Sequence, residues 1–92
     1  MTTAANLVLP DAMTVPAMAD LVATMQSIPS DVDTVHIDVA ATTRWDLSGL
    51  QALVTFKRTL LQRGANCLWH GVCDNARSVA QLAGLRGELG WE

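Results

Sequence analysis

The stretch that decides the fold is "TVHIDVAATTRWDLSGLQALVTFKRTLLQRGANCLWH", residues 34–70. It opens with an alternation. Val35, Ile37 and Val39 point to one side of an extended chain, and His36 and Asp38 to the other, as the two-residue repeat of a strand requires. The β-branched content of residues 34–40 supports that reading. The period then changes. Leu50, Leu53, Val54, Leu60 and Leu61 recur at helical spacing, Phe56 widens the stripe, and Gln51, Thr55, Arg58 and Gln62 form a polar side. Gly64 suits the left-handed position just past a helix end. "NCLWHGV" (66–72) then reads as a second internal strand. Two strands joined through a helix imply parallel neighbours and a right-handed crossover.

Working outward, "NLVL" (6–9) is a short apolar run ended by Pro10. It reads as an edge strand, because proline cannot donate to a ladder. In "TVPAMADLVATMQSIP" (14–29), Met18, Leu21, Val22, Met25 and Ile28 have helical spacing. Thr14 can cap, Pro16 fits the first turn, Asp20 lies near the positive end of the helix dipole, and Pro29 stops the helix. Beyond residue 72, "DNARSVAQLAGL" (74–85) reads as a helix capped by Asp74 with Val79, Leu82 and Ala83 inward. Gly84 closes it, and Leu85 folds back in an apolar contact. In the tail "RGELGWE", Trp91 is a candidate to pack back on the sheet. The fold class is α/β: a small sandwich with a central, mostly parallel sheet of about four strands and about three helices, an arrangement that allows all helices on one face. The whole chain, 1–92, is one domain.

Composition removes several function classes. Half of the 92 residues are apolar, 16% are charged, and the net charge is −3. The chain can therefore bury a core, and it offers no basic face for nucleic acid and no polybasic membrane anchor. "MTTAANLVLPDAM" lacks the basic start and apolar core of a signal peptide. No apolar run reaches the roughly 20 residues of a spanning helix. A cytoplasmic protein without membrane insertion is expected. Cys67 and Cys73 have neither redox-motif nor zinc-ligand spacing and read as buried thiols. His36 and Asp38 share a strand face, but no nucleophile or third group accompanies them. They and His70 read as a polar sheet surface, so no catalytic residue, metal site or cofactor is expected. There is no Gly-x-Ser-x-Gly elbow and no phosphate loop.

The order strand, "WDLSGL", amphipathic helix, "RG", strand, helix, "LAGL" resembles the STAS family over about residues 5–86. This is the fold of bacterial anti-sigma factor antagonists and of related lipid-transport subunits and transporter tails. The resemblance implies a regulatory binding module that is not an enzyme. It would dock on an anti-sigma factor or a related histidine-kinase-like ATPase in a partner-switching, chemotaxis or two-component pathway. The alternative is an accessory subunit docking on the ATPase of a phospholipid-transport ABC complex. The corner Thr43, Arg44, Trp45, Asp46, Leu47, Ser48 and Gly49 is the implied partner-binding surface. Asp46 and Gly49 match the family motif. Leu47 stands where the family carries its phosphorylated hydroxyl, and Ser48 aligns with the next, normally unmodified, small residue. Ser48 is thus a helix cap, a role Asp46 could equally fill, a displaced phosphoacceptor, or part of a binding surface at 43–49 that is never phosphorylated. Thr42 and Thr43 are the other hydroxyls in reach. Trp45 reads as corner packing or as an interface anchor.

Overall fold

The structure is a computed structural model and describes residues 4–91. Five strands and four helices follow in the order β1 (Ala4–Val8), β2 (Ala12–Met13), α1 (Met18–Ser27), β3 (Thr34–Asp38), β4 (Arg44–Trp45), α2 (Leu47–Gln62), β5 (Asn66–His70), α3 (Asp74–Leu82) and α4 (Arg86–Leu89). A 3-10 turn, Val15–Ala17, leads into α1. The α/β class stands, and every strand pair is parallel. Instead of one sheet of about four strands there are two. The larger has the order β1-β3-β5, and β2 and β4 form a separate two-stranded ladder. Only β3 is internal, so β5 is an edge strand rather than the internal one expected. Among the described residues no helix is long and apolar enough to cross a membrane.

The alternation read from residues 34–39 is realised. Val35, Ile37 and Val39 are fully buried, while His36 and Asp38 remain partly exposed on the opposite face. In β5 the half-buried Cys67 and Trp69 turn inward, and Asn66, Leu68 and His70 turn out. The buried sheet face meets Leu50, Leu53, Phe56 and Leu60 of α2 in one continuous core. The helices thus cover one face, and the other stays open.

Helix ends follow local chemistry. Ala65 N–H donates to the Leu60 carbonyl at 2.9 Å and Gly64 N–H to Leu61 at 3.0 Å. This is the paired closing motif that a left-handed residue permits, and Gly64 supplies it with φ +80°. The same pair recurs after α3, where Leu85 bonds to Ala80 and Gly84 to Gln81. Leu85 folds back against the core as expected. Ile28, extended at ψ 122°, ends α1 before Pro29.

Several inward assignments are corrected. Val22, Leu61 and Leu82 are exposed, Leu82 at 90%. The residues of α3 that enter the core are Ala76 and Ala80, with Val79 and Ala83 partly buried beside them. Small side chains let α3 lie close, and that rotates Leu82 to solvent. The N-cap of α3 is Cys73, with Asp74 in the first turn. Cys73 is therefore exposed and Cys67 half-buried, not the two buried thiols expected. The tail forms α4 and returns Trp91 to the core, 2% exposed.

Candidate functional site

The candidate site is the corner where β4 becomes α2. Asp46, extended at φ −123°, is the N-cap, and its Oδ1 accepts the Gly49 N–H at 2.8 Å. This satisfies one of the free amides that every helix start exposes. The cap is therefore Asp46. Ser48 lies in the first turn, exposed, and its hydroxyl has no hydrogen-bond partner among the described residues. Leu47 is 53% exposed, an apolar side chain held on the rim of the helix start.

The corner is fastened from beneath by residues 9–13. Thr43 and Arg44 amides both donate to the Asp11 carbonyl, at 2.9 and 3.1 Å, and Asp46 N–H donates to Met13 at 3.3 Å. Ala12 pairs with Arg44 and Met13 with Trp45. Thr42 is buried, and its hydroxyl donates to the Pro10 carbonyl at 2.6 Å. It is a structural tie, and a phosphate there would have to break that tie. Thr43 is exposed, with its Oγ1 at 3.5 Å from the Asp11 carbonyl. Arg44 is exposed and makes no ion pair among the described residues.

Gly49 and Trp45 complete the corner inward. A Cβ at Gly49 would run into the Met13 carbonyl, so glycine is what lets α2 start directly on β2. Trp45 is half-buried and meets Trp91 edge-on, with ring centroids 5.6 Å apart. Trp91 meets Trp69 of β5 in the same way at 5.3 Å. Such edge-to-face pairs add about 0.5–1.5 kcal/mol each beyond area burial. All three tryptophans of the chain thus form one file from the corner to the sheet. Trp45 faces inward as corner packing, and the apolar contact left on the surface is Leu47.

The structure sets residues 43–49 over a fixed base, with Thr43, Arg44, Leu47 and Ser48 exposed, Trp45 and Asp46 half-buried and Gly49 buried. It adds two features that strand and helix periods could not reveal: the Met13–Gly49 approach and the Trp91 contact. It also joins His36 and His70, which the sequence presented 34 positions apart. Their ring nitrogens, Nδ1 and Nε2, are 2.8 Å from each other on the open sheet face. The signal was present in retrospect, since parallel β3 and β5 set Asp38 beside His70 and leave His36 diagonal to it.

With this geometry in hand, comparison gives a single kind of likeness. No family model matches the sequence, and no curated protein matches it. A solved structure does match: the crystal structure of a sulfate transporter family protein from Wolinella succinogenes, at TM-score 0.83. The match covers 97% of this chain and 73% of that chain at 19% identity. The two chains share a fold. At that identity the likeness speaks for the fold and for nothing finer.

Proposed function

We propose that this chain is a STAS-type docking module whose contact surface is the corner Thr43–Gly49. The observation that carries this reading is Leu47. A leucine half out of the protein, on a helix start tied down by backbone and side-chain bonds to residues 10–13, is organised to be covered by something else. Rigid presentation limits the ordering cost of binding. The partner class that the sequence resemblance suggests is an anti-sigma factor or a related histidine-kinase-like ATPase. With no hydroxyl after Asp46, docking at this corner is either permanent or regulated from another residue. Ser48 is the exposed hydroxyl closest to a regulated role. A phosphate there would add about −1.5 to −2 charge beside Asp46 and Leu47 and would oppose an acidic or apolar partner.

A second reading, the alternative that the sequence resemblance suggests, takes the same corner as an assembly face toward the ATPase of a phospholipid-transport ABC complex. One experiment separates them. Tagged wild-type and Leu47→Asp proteins are used to capture partners, which are identified by mass spectrometry. A kinase-like ATPase or a transporter ATPase should be retained by wild type and lost with Leu47→Asp, whose circular dichroism should be unchanged. Equal capture by both proteins removes the corner from the interface. Incubation with the captured kinase and ATP, followed by phosphosite mapping, then decides Ser48.

A further inference from the structure

We infer that the outer edge of β1, with the groove between β1 and α1, docks an extended peptide that carries an aliphatic side chain and, two positions away, a lysine or arginine. The site is separate from the corner at residues 43–49 and does not rest on the function proposed there. β1 lies at one end of the β1-β3-β5 sheet. Just past it, the Leu9 amide donates to the Asp38 carbonyl at 3.0 Å. Main-chain groups of a strand alternate sides along the ladder. Those of Leu7 and Ala5 therefore face β3, and those of Asn6 and Val8 face outward. Among the described residues no strand takes up that outer row. Ala4–Val8 contains no charge and no proline, and its register with β3 runs without a bulge. Those are the usual devices that keep an edge from pairing.

Beside this edge lies a groove of about 210 Å³. Leu7, Leu9, Met13 and Leu21 make it apolar, and Asp20 and Thr24 line it from α1. Leu9, Met13 and Leu21 are buried, so the apolar wall is fixed before any partner arrives. A strand added to β1 alternates its side chains, and every second one turns toward α1. In such strand addition, main-chain bonds supply affinity and pockets for alternate side chains supply the choice of sequence. An aliphatic side chain would displace water from the apolar wall. The Thr24 hydroxyl is already bonded to the Asp20 carbonyl at 2.8 Å. The Asp20 carboxylate is exposed and makes no ion pair among the described residues. A cation on the same side of the added strand, two residues from the aliphatic one, complements it.

A second copy of the chain is the poorer occupant. Antiparallel pairing of two β1 strands about Asn6 sets Ala5 of one copy opposite Leu7 of the other. A methyl group leaves the groove unfilled, and Ala4–Val8 brings no cation to Asp20.

The test is selection from a phage-displayed library of random seven-residue peptides on the immobilised full chain. Enriched sequences should carry an aliphatic residue and a Lys or Arg two positions apart, and synthetic copies should bind in solution by fluorescence polarisation. In Asn6→Pro an outward amide is removed at a place where an edge strand accepts proline. Binding should be lost there with circular dichroism unchanged. Asp20→Lys should weaken binding roughly two- to fivefold, and peptides with Glu in place of the cation should regain it. Leu47→Asp should bind as wild type does. Hydrogen exchange on the wild type needs no substitution: the Asn6 and Val8 amides should slow when peptide is bound. No enriched sequence, undiminished binding in Asn6→Pro, or protection centred away from β1 would each overturn the site. So would dimerisation of the chain alone that Asn6→Pro abolishes, because a second copy would then hold the edge.

Discussion

Gly49 and Asp46 show how much of the corner is decided by single atoms. The Asp46 carboxylate satisfies one amide of α2, and its replacement by Ala should cost about 1 kcal/mol. Gly49→Ala is a different matter, because the added methyl meets the fixed Met13 carbonyl. Overpacking of this kind costs on the order of 1–3 kcal/mol, which outweighs the ~1 kcal/mol by which Ala favours a helix over Gly. Urea unfolding should show both variants less stable than wild type, and a Gly49→Ala protein as stable as wild type would contradict the close approach. The thiols divide in the same atomic way. Burial pushes Cys67 up from 9.0 to about 11, with the Lys57 ammonium offsetting part of the rise. Since the thiolate is the nucleophile, iodoacetamide at neutral pH should modify exposed Cys73 first. Cys67 should react only as the pH climbs toward 11 or the protein unfolds. Simultaneous labelling of both at neutral pH would refute this.

At the scale of elements, the helical stripes carry the predictions. Periodicity alone put Leu61 and Leu82 in the core, yet Leu61 is half-exposed and Leu82 almost fully so. A helix face about 100° wide accepts apolar residues at its margin, and only the neighbouring element determines which margin is covered. Leu61→Glu and Leu82→Glu should therefore change unfolding free energy by no more than about 0.5 kcal/mol. Phe56, fully buried at the centre of the α2 stripe, should cost about 3–5 kcal/mol on replacement by Ala. Thermal melts distinguish these outcomes directly, and a large loss at Leu82 would mean that α3 packs with a different face inward. The helix stops were more legible than the faces. Gly64 and Gly84 dictate local backbone geometry, which depends on few other residues. Burial depends on everything packed nearby.

For the whole molecule, the tail is the connection between distant parts. Trp91 bridges Trp45 at the corner and Trp69 on β5. The tail is further tied by Lys57 donating to the Glu88 carbonyl at 3.1 Å and by the Arg58–Glu88 pair at 2.9 Å. That exposed ion pair contributes little by itself; the tryptophan burial dominates. Trp91→Ala should destabilise the fold by about 3–5 kcal/mol. It should also shift the emission of Trp45 and Trp69 to longer wavelength, as water reaches their rings. Amides of residues 46–50 should exchange faster in the same variant. Unaltered emission with lowered stability would show that the file of rings does not support the corner.

The sequence by itself determined the α/β class, the order of the main elements, the C-terminal ends of the helices and the alternating face of β3. These are consequences of period and of local backbone preference, which a few consecutive residues express. Tertiary structure alone decided that the strands divide into sheets of three and two, that β5 is an edge, and that Leu82 faces water while Trp91 does not. It also brought His36 to His70 and set Gly49 on Met13. Each of these depends on which element lies beside which. Contacts across dozens of positions arise from close packing of the assembled chain, and no local period encodes them.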